Sequence, residues 1–159
     1  MRVVVVGATG NIGTSVLRAL ENEESVESVL GLPRRVPDLT IPKVEWASAD
    51  VVDDDLVPHF RGADAVVLLA WLIQPSRRLD VARSVNVDGS RAVFEAVAAA
   101  EVPVLAYASS VGAYSPGPKE SPVDESWPTD GIETSFYSRH KAEVERALDA
   151  ARGHALRRR

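Results

Sequence analysis

Two residues with acid–base chemistry, Tyr137 and Lys141, stand four positions apart in the segment YSRHK. Four residues make slightly more than one turn of an α-helix, so this spacing predicts both side chains on one helical face. An ammonium group beside a phenol stabilises the phenolate, and such a tyrosine serves as a general base toward a hydroxyl or a general acid toward a carbonyl. The alternative interpretation is a half-buried tyrosine and a surface lysine, which is the commoner case for an isolated pair.

Three glycines, Gly7, Gly10 and Gly13, occur at three-residue intervals where a β-branched run changes into a helical pattern. Gly7 permits a tight turn, Gly10 allows the backbone to approach a pyrophosphate, and Gly13 lets the helix pack closely on a sheet. The N-terminus of that helix directs free N–H groups at the phosphates. The spacing departs from the usual G-x-G-x-x-G, so a glycine-rich turn without a ligand is the alternative. The residues predicted to bind the dinucleotide here are Gly7, Thr9, Gly10, Asn11, Ile12 and Gly13.

The segments that must position these residues alternate between strands and helices. From β-branched and apolar runs, strands are predicted at residues 2–6, 25–32, 44–51, 63–72 and 102–110. From helical spacing, with Gly153 as the last stop, helices are predicted at residues 11–22, 80–100 and 133–153. The alternation implies right-handed βαβ units and one parallel sheet. We therefore expect an α/β fold with a doubly wound parallel sheet, in a single domain over residues 1–159.

Composition argues against several classes of function. The net charge of −5 gives no reason to expect a nucleic-acid partner, and the absence of cysteine excludes disulfides and thiolate catalysis. The longest apolar run, Ala65 to Ile73, is far shorter than the roughly 20 residues of a membrane span, so we expect a cytoplasmic protein without a membrane partner. The three histidines lack metal-ligand spacing, and the run DVVDDD is interpreted as a solvated helix start. No metal site is expected.

Six short motifs occur in an order that resembles the extended short-chain dehydrogenase/reductase family, which includes the NAD-dependent epimerases and dehydratases. They are VVGATGNIG, SADV, LLAW, VNVDGSRAVFEA, YASSVGAY and YSRHK. Each motif alone is a weak signal, but the ordered set covers essentially the whole chain. The resemblance implies a Rossmann-type fold with strand order 3-2-1-4-5-6, an NAD(P) cofactor, and a small-molecule substrate such as a nucleotide sugar.

The resemblance also implies cofactor contacts outside the glycine turn. Asp50 and Val51 match the acid-plus-apolar pair that contacts adenine, and Ala70 matches a position along the cofactor after the fourth strand. NAD-preferring relatives usually carry an acid at the end of the second strand, whereas this chain reads GLPRR. Arg34 and Arg35 could pair with a 2′-phosphate, which slightly favours NADP over NAD. Two solvated loop arginines are the alternative.

The family's catalytic group implies a role for each matching residue. Tyr137 would be the general acid or base, and Lys141 would also hold the nicotinamide ribose, so both count as cofactor-binding residues. Ser110 would orient the reacting oxygen, with Ser109 beside it as a competing candidate. Asn86 would steady its helix and an ordered water near the lysine, and a local hydrogen bond within its own helix is the alternative.

Extended family members usually continue into a sixth strand and a smaller C-terminal substrate domain. This chain stops at GHALRRR, so we expect both to be missing from it. The alternative function is therefore a non-catalytic, redox-sensing dinucleotide module or an inactive truncated fragment. The family commonly dimerises through two helices, which predicts a homodimer through residues around 81–100 and 134–151 here, and the segment VPVLAYASS is expected to form an edge strand.

Overall fold

The computed structural model describes residues 1–73 and 78–156, with side chains as far as Ala151. The chain divides into two compact units. They are Met1–Trp71 with Ala92–Ala108, and Leu72–Arg91 with the chain from Ser109 onward. The predicted cofactor turn belongs to the first unit, and the predicted catalytic residues belong to the second.

A parallel sheet of five strands, in the order β3-β2-β1-β4-β5, forms the centre of the first unit. The strands are β1 (Arg2–Val6), β2 (Ser28–Leu32), β3 (Val44–Trp46), β4 (Ala65–Leu68) and β5 (Val104–Tyr107). In the middle of the sheet, Val4 pairs with Leu30 on one side and with Val66 on the other. The predicted fold class and strand order are confirmed, and β5 is an edge of the described sheet. Strands β2 to β5 are shorter than predicted: β2 begins later, β3 ends earlier, and β4 and β5 are shorter at both ends.

The core of the first unit lies on both faces of β1. Val3 and Val5 are buried in one apolar cluster, to which helix α1 (Asn11–Glu21) contributes Leu17. Val4 and Val6 on the same strand are also buried, and the short helix α2 (Val57–Phe60) adds a fully buried phenylalanine at its end. Burial on both faces explains why β1 reads as an unbroken β-branched run rather than as an alternating one.

The second unit contains the remaining helices. Helix α3 (Leu79–Arg83) runs directly into a π-helical stretch, Ser84–Asp88, and then into α4 (Gly89–Ala99), which continues into the first unit. The predicted helix 80–100 is therefore one helical run, with wider turns just before Gly89. Helix α5 (Phe136–Leu156) passes through Gly153, so the predicted stop there is wrong. No helix in the described part of the chain is both long and apolar enough to span a membrane.

A proline- and glycine-rich loop, residues 115–131, connects a 3₁₀ turn (Val111–Ala113) to α5. The two ends of this loop are hydrogen-bonded to each other. The Ser115 N–H donates to the Pro128 carbonyl at 2.8 Å, and the Trp127 indole N–H donates to the Ser115 carbonyl at 3.2 Å. These hydrogen bonds bring the start of α5 back to the turn that follows Ser110.

Candidate cofactor-binding and catalytic sites

Gly7 occupies both a conformation and a space that require glycine. Its φ of +83° lies in the left-handed region, and a Cβ would lie 2.6 Å from the backbone nitrogen of Ala70. The Gly7 N–H donates to the carbonyl of Leu32 at 3.1 Å, next to the end of β2. The predicted tight turn is present, and the backbone of Ala70 lies directly against it.

The other two glycines of the turn differ from each other. A Cβ on Gly13 would lie 2.5 Å from the Gly7 carbonyl oxygen and 2.6 Å from that of Ala8, so this glycine permits close packing of α1. Gly10 is exposed, and the Gly7 oxygen at 3.4 Å is what its Cβ would meet among the described residues. The space in front of Gly10 is therefore open to a ligand, whereas Gly13 serves the fold.

The N-terminus of α1 carries no anion of its own. Gly10 is the N-cap residue, no side chain caps the helix, and its first turn contains no acidic residue. Thr9, Asn11 and Ile12 are exposed around it, and Ile12 is 63% exposed although it is apolar. Uncapped N–H groups and the positive end of the helix dipole favour a phosphate, so this end of α1 suits the pyrophosphate that the sequence predicts.

The segment after β2 presents two arginines. Arg34 and Arg35 are both exposed, but the backbone that carries them is held in place. The Pro33 carbonyl accepts from the Ala49 N–H at 3.0 Å, and the Arg34 carbonyl accepts from Ser48 Oγ at 2.7 Å. Two guanidinium groups thus project from an ordered backbone, where an anion can reach them.

Asp50 and Val51 lie in the turn after β3. Asp50 Oδ1 accepts from the Val52 N–H at 3.0 Å, and the Asp50 N–H donates to Asp54 Oδ2 at 2.7 Å. Val51 is buried. The run DVVDDD is a hydrogen-bonded turn and α2 begins only at Val57, so the predicted helix start is wrong. Within the described residues, no three His, Asp or Glu side chains are grouped as a metal site.

In the second unit, Ser110 and Tyr137 meet at Gly112. A Cβ on Gly112 would lie 2.9 Å from Cε1 of Tyr137 and 3.4 Å from Oγ of Ser110. Ser110 Oγ also accepts from the Gly112 N–H at 3.0 Å, while Ser109 is exposed. Of the two neighbouring serines, Ser110 is therefore the one whose hydroxyl lies beside the tyrosine.

Lys141 lies one helical turn after Tyr137 on α5 and is only 3% exposed. Burial lowers the pKa of Lys141 from its ordinary 10.5 to about 8, and the charge of Glu145 partly offsets this effect. An amine with this pKa is still mostly protonated at neutral pH. Tyr137 and Lys141 thus both lie on α5, one turn apart, and their pairing as a phenol and an ammonium stays a prediction.

Asn86 is fully buried in the π-helical stretch. Its Oδ1 accepts from the Leu72 N–H at 2.7 Å, and its Nδ2 donates to the Leu72 carbonyl at 2.9 Å. The alternative that Asn86 hydrogen-bonds within its own helix is wrong. The oxygen and the nitrogen of its side-chain amide both bind the backbone of Leu72, in the segment that follows β4. Ser90 makes the local bond instead, donating to the Asn86 carbonyl at 2.6 Å.

Sequence reasoning did not find Gly112, which contacts both Ser110 and Tyr137, or Ser138, which is hydrogen-bonded to Gly112. Ser138 is buried next to Tyr137, and its hydroxyl donates to the Gly112 carbonyl at 2.6 Å. The sequence feature that could have indicated these two residues is their small size: a glycine stands two residues after Ser110 and a serine one residue after Tyr137. His140, expected to be a solvated or packing residue, packs against the ring of Phe136.

Comparison with known proteins gives a family match over nearly the whole chain. The family model described as "NAD dependent epimerase/dehydratase family" matches residues 3–157. The L-arabinose 1-dehydrogenase (NAD(P)(+)) of Haloferax volcanii is 34% identical over 110 residues, which cover 69% of this chain and 41% of that protein. The chain spans about half the length, or less, of the curated relatives that it matches.

Solved structures share the architecture. MoeE5 in complex with UDP-glucuronic acid and NAD superposes with a TM-score of 0.81 at 27% identity, covering 95% of this chain and 49% of that one. A short-chain dehydrogenase/reductase superfamily protein from Agrobacterium tumefaciens with bound NAD gives a TM-score of 0.80 at 26% identity, covering 93% and 44%.

Proposed function

Because the chain belongs to the NAD-dependent epimerase/dehydratase family, we propose that it binds NAD(P) and acts on a hydroxyl or carbonyl of a small molecule. MoeE5 is described in complex with a nucleotide sugar, and we extend that substrate class to this chain as a nucleotide sugar or a similar molecule. The reaction is of the epimerase, dehydratase or reductase type, with Tyr137 as the general acid or base.

The observation that carries this proposal is the meeting of Ser110 and Tyr137 at Gly112. A hydroxyl has one donor and two acceptor positions, and Ser110 Oγ uses one acceptor position for the Gly112 N–H. Within the described residues its O–H has no recorded acceptor, and we propose that it donates to a substrate oxygen. The Tyr137 phenol then exchanges a proton with the same oxygen, which is general acid–base catalysis.

Lys141 supports this chemistry from the same face of α5. Its ammonium stabilises the Tyr137 phenolate electrostatically and offers N–H donors to the ribose of the cofactor. When bound, the nicotinamide supplies the hydride chemistry. Asn86 contributes by fixing the backbone of Leu72 through its two hydrogen bonds.

The cofactor preference that we propose is NADP over NAD. It rests on Arg34 and Arg35, which follow β2 where NAD-preferring relatives usually carry an acid. Both guanidinium groups are exposed on a backbone held by Ser48, and a 2′-phosphate would gain charge-assisted hydrogen bonds from them. The pyrophosphate would lie at Gly10 and the N-terminus of α1, and the adenine at Asp50 and Val51.

We also propose a homodimer through the helices around residues 81–100 and 134–151. Glu143 of α5 accepts from Arg83 at 2.7 Å and from Arg91 at 3.0 Å, so the part of the first helical segment that ends at Arg91 lies beside α5 in the second unit. Sedimentation at several protein concentrations measures the association directly. A monomer at every concentration would contradict the dimer and leave the site assignment unaffected.

Two measurements test the proposed activity. Fluorescence titration with NADH and NADPH measures binding, and a screen of nucleotide sugars with the oxidised cofactors measures turnover. We expect binding of both cofactors, tighter for NADPH, and turnover that is lost in Tyr137→Phe. Binding with no turnover in the wild-type chain would favour a non-catalytic dinucleotide module, and no binding of either cofactor would contradict the proposal.

A further inference from the structure

We infer that Ser138 is a positioning residue that fixes Ser110 relative to Tyr137, an inference that rests on the proposed function of that pair. Ser138 follows Tyr137 on α5 and is only 2% exposed. Its Oγ donates to the Gly112 carbonyl at 2.6 Å and accepts from the Ile132 N–H at 2.5 Å. One hydroxyl therefore joins three segments: α5, the turn after Ser110 and the residue that directly follows the 115–131 loop.

Gly131 makes a second connection between the same segments. Its N–H donates to the Ala113 carbonyl at 3.0 Å, and its φ of +76° lies in the left-handed region. A Cβ on Gly131 would lie 2.8 Å from the carbonyl oxygen of Ser138. The end of the loop is thus held tightly between the 3₁₀ turn and the first turn of α5, which leaves little room for the turn to shift.

Gly112 is the residue that the Ser138 hydroxyl holds in place. Its carbonyl accepts from Ser138, its N–H donates to Ser110 Oγ, and a Cβ added to it would lie 2.9 Å from Cε1 of Tyr137. A displacement of Gly112 therefore moves the Ser110 hydroxyl relative to the Tyr137 phenol. Consecutive helical residues point about 100° apart, so Ser138 acts from beside the phenol and does not face the reacting oxygen.

The test compares Ser138→Ala, which removes the hydroxyl, with Ser138→Thr, which keeps it. Tyr137 is one of three tyrosines, so ring-labelled tyrosine NMR reports on it directly once the signals are assigned. We expect Ser138→Ala to shift the Tyr137 ring signals and to lower kcat by about tenfold or more, with cofactor affinity within about twofold of wild type, because misplacement affects the reaction more than cofactor binding. Ser138→Thr should restore both the signals and kcat.

The matched control is Ser90→Ala. Ser90 is also buried, at 1% exposure, and its hydroxyl also donates to a backbone carbonyl, but within its own helical run. It should lose stability as Ser138→Ala does and leave the Tyr137 ring signals in place. Ser138→Ala with wild-type ring signals and wild-type kcat would overturn the inference.

Gly112→Ala provides a second route if Ser138→Ala does not fold. It keeps the Ser138 hydroxyl and places a methyl group 2.9 Å from Cε1 of Tyr137, so the ring signals should move in the same way. Unchanged signals in this variant would contradict the contact between Gly112 and Tyr137 on which the inference rests. A wild-type protein that binds the cofactor but turns over no nucleotide sugar would favour the non-catalytic module instead, while the ring signals would still decide whether Ser138 positions the pair.

Discussion

Gly13 packs against the carbonyl oxygen of Gly7 so closely that a Cβ at position 13 would lie 2.5 Å from that oxygen. At Gly10 the same oxygen would lie 3.4 Å away, which is ordinary van der Waals contact. The two glycines therefore have separable roles, although their sequence spacing makes them look equivalent. Gly13 is required by the packing of α1, and Gly10 leaves space for a ligand.

This difference predicts opposite behaviour for two substitutions. Gly10→Val should lower dinucleotide affinity by roughly 100-fold or more, because a side chain there would occupy the space of the pyrophosphate. Its free energy of unfolding should stay near that of wild type. Cofactor titration and urea denaturation measure the two effects, and unchanged affinity in Gly10→Val would contradict the assigned site.

Gly13→Ala is the matched control for that experiment. We expect a loss of about 1–3 kcal/mol in the free energy of unfolding, since the added methyl group overlaps two backbone oxygens. If Gly13→Ala were as stable as wild type, the close packing of α1 on the glycine turn would be wrong.

Cofactor choice depends on Arg34 and Arg35. The double variant Arg34→Ala/Arg35→Ala should weaken NADPH binding by about tenfold or more and leave NADH binding nearly unchanged, since charge-assisted hydrogen bonds contribute roughly 1.5–3 kcal/mol. The NADPH effect should shrink at high salt. Arg61→Ala, which removes another exposed arginine, is the control. A wild-type chain that binds NADH as tightly as NADPH would refute the preference.

Tyr137→Phe removes the proton donor and acceptor while keeping the ring against Gly112. We expect kcat to fall by about 100-fold or more, with little change in cofactor affinity. Tyr107→Phe, in β5 and with its ring packed against Phe94, is the control. Near-normal kcat in Tyr137→Phe would remove the proposed acid–base role.

Lys141 should leave a signature in the pH dependence of stability. Its folded pKa of about 8 lies below the ordinary 10.5, so between these values the unfolded chain binds a proton that the folded chain does not. The free energy of unfolding should therefore rise with pH in that window, by up to about 1.4 kcal/mol per pH unit. Lys141→Met should flatten this rise in urea denaturation, and Lys119→Met, at an exposed loop position, should not. Identical pH curves for wild type and Lys141→Met would contradict the burial argument.

The parts of the fold that depend on local pattern could be predicted from the sequence. The four consecutive valines of β1 predicted its bounds correctly, because a strand covered on both faces has a distinctive composition. The helix end at Gly153 was wrong, since the residues after it continue in helical conformation. Glycine weakens a helix by only about 1 kcal/mol, so it does not by itself end one.

The candidate site was predictable as a set of residues but not as a geometry. The order of the motifs predicted Ser110 and Tyr137 as site residues. The contacts that join them are made through Gly112, which is hydrogen-bonded to Ser138. These contacts depend on how the 115–131 loop folds back on itself through Ser115 and Gly131, and such non-local hydrogen bonds leave no periodic trace in the sequence.

His140 should make the protein sensitive to acid. It is 7% exposed, its ring packs against Phe136, and within the described residues its Nδ1 has no hydrogen-bond partner. Burial, followed by the charge of Arg83, lowers the pKa of His140 below its ordinary 6.5. As the pH falls below 6.5, the unfolded chain takes up a proton that the folded chain resists, so the free energy of unfolding decreases. His140→Gln should lose less stability between about pH 7 and pH 5 than wild type does, whereas His59→Gln should follow wild type. Equal losses in wild type and His140→Gln, measured by urea denaturation, would show that His140 is not the source of the acid sensitivity.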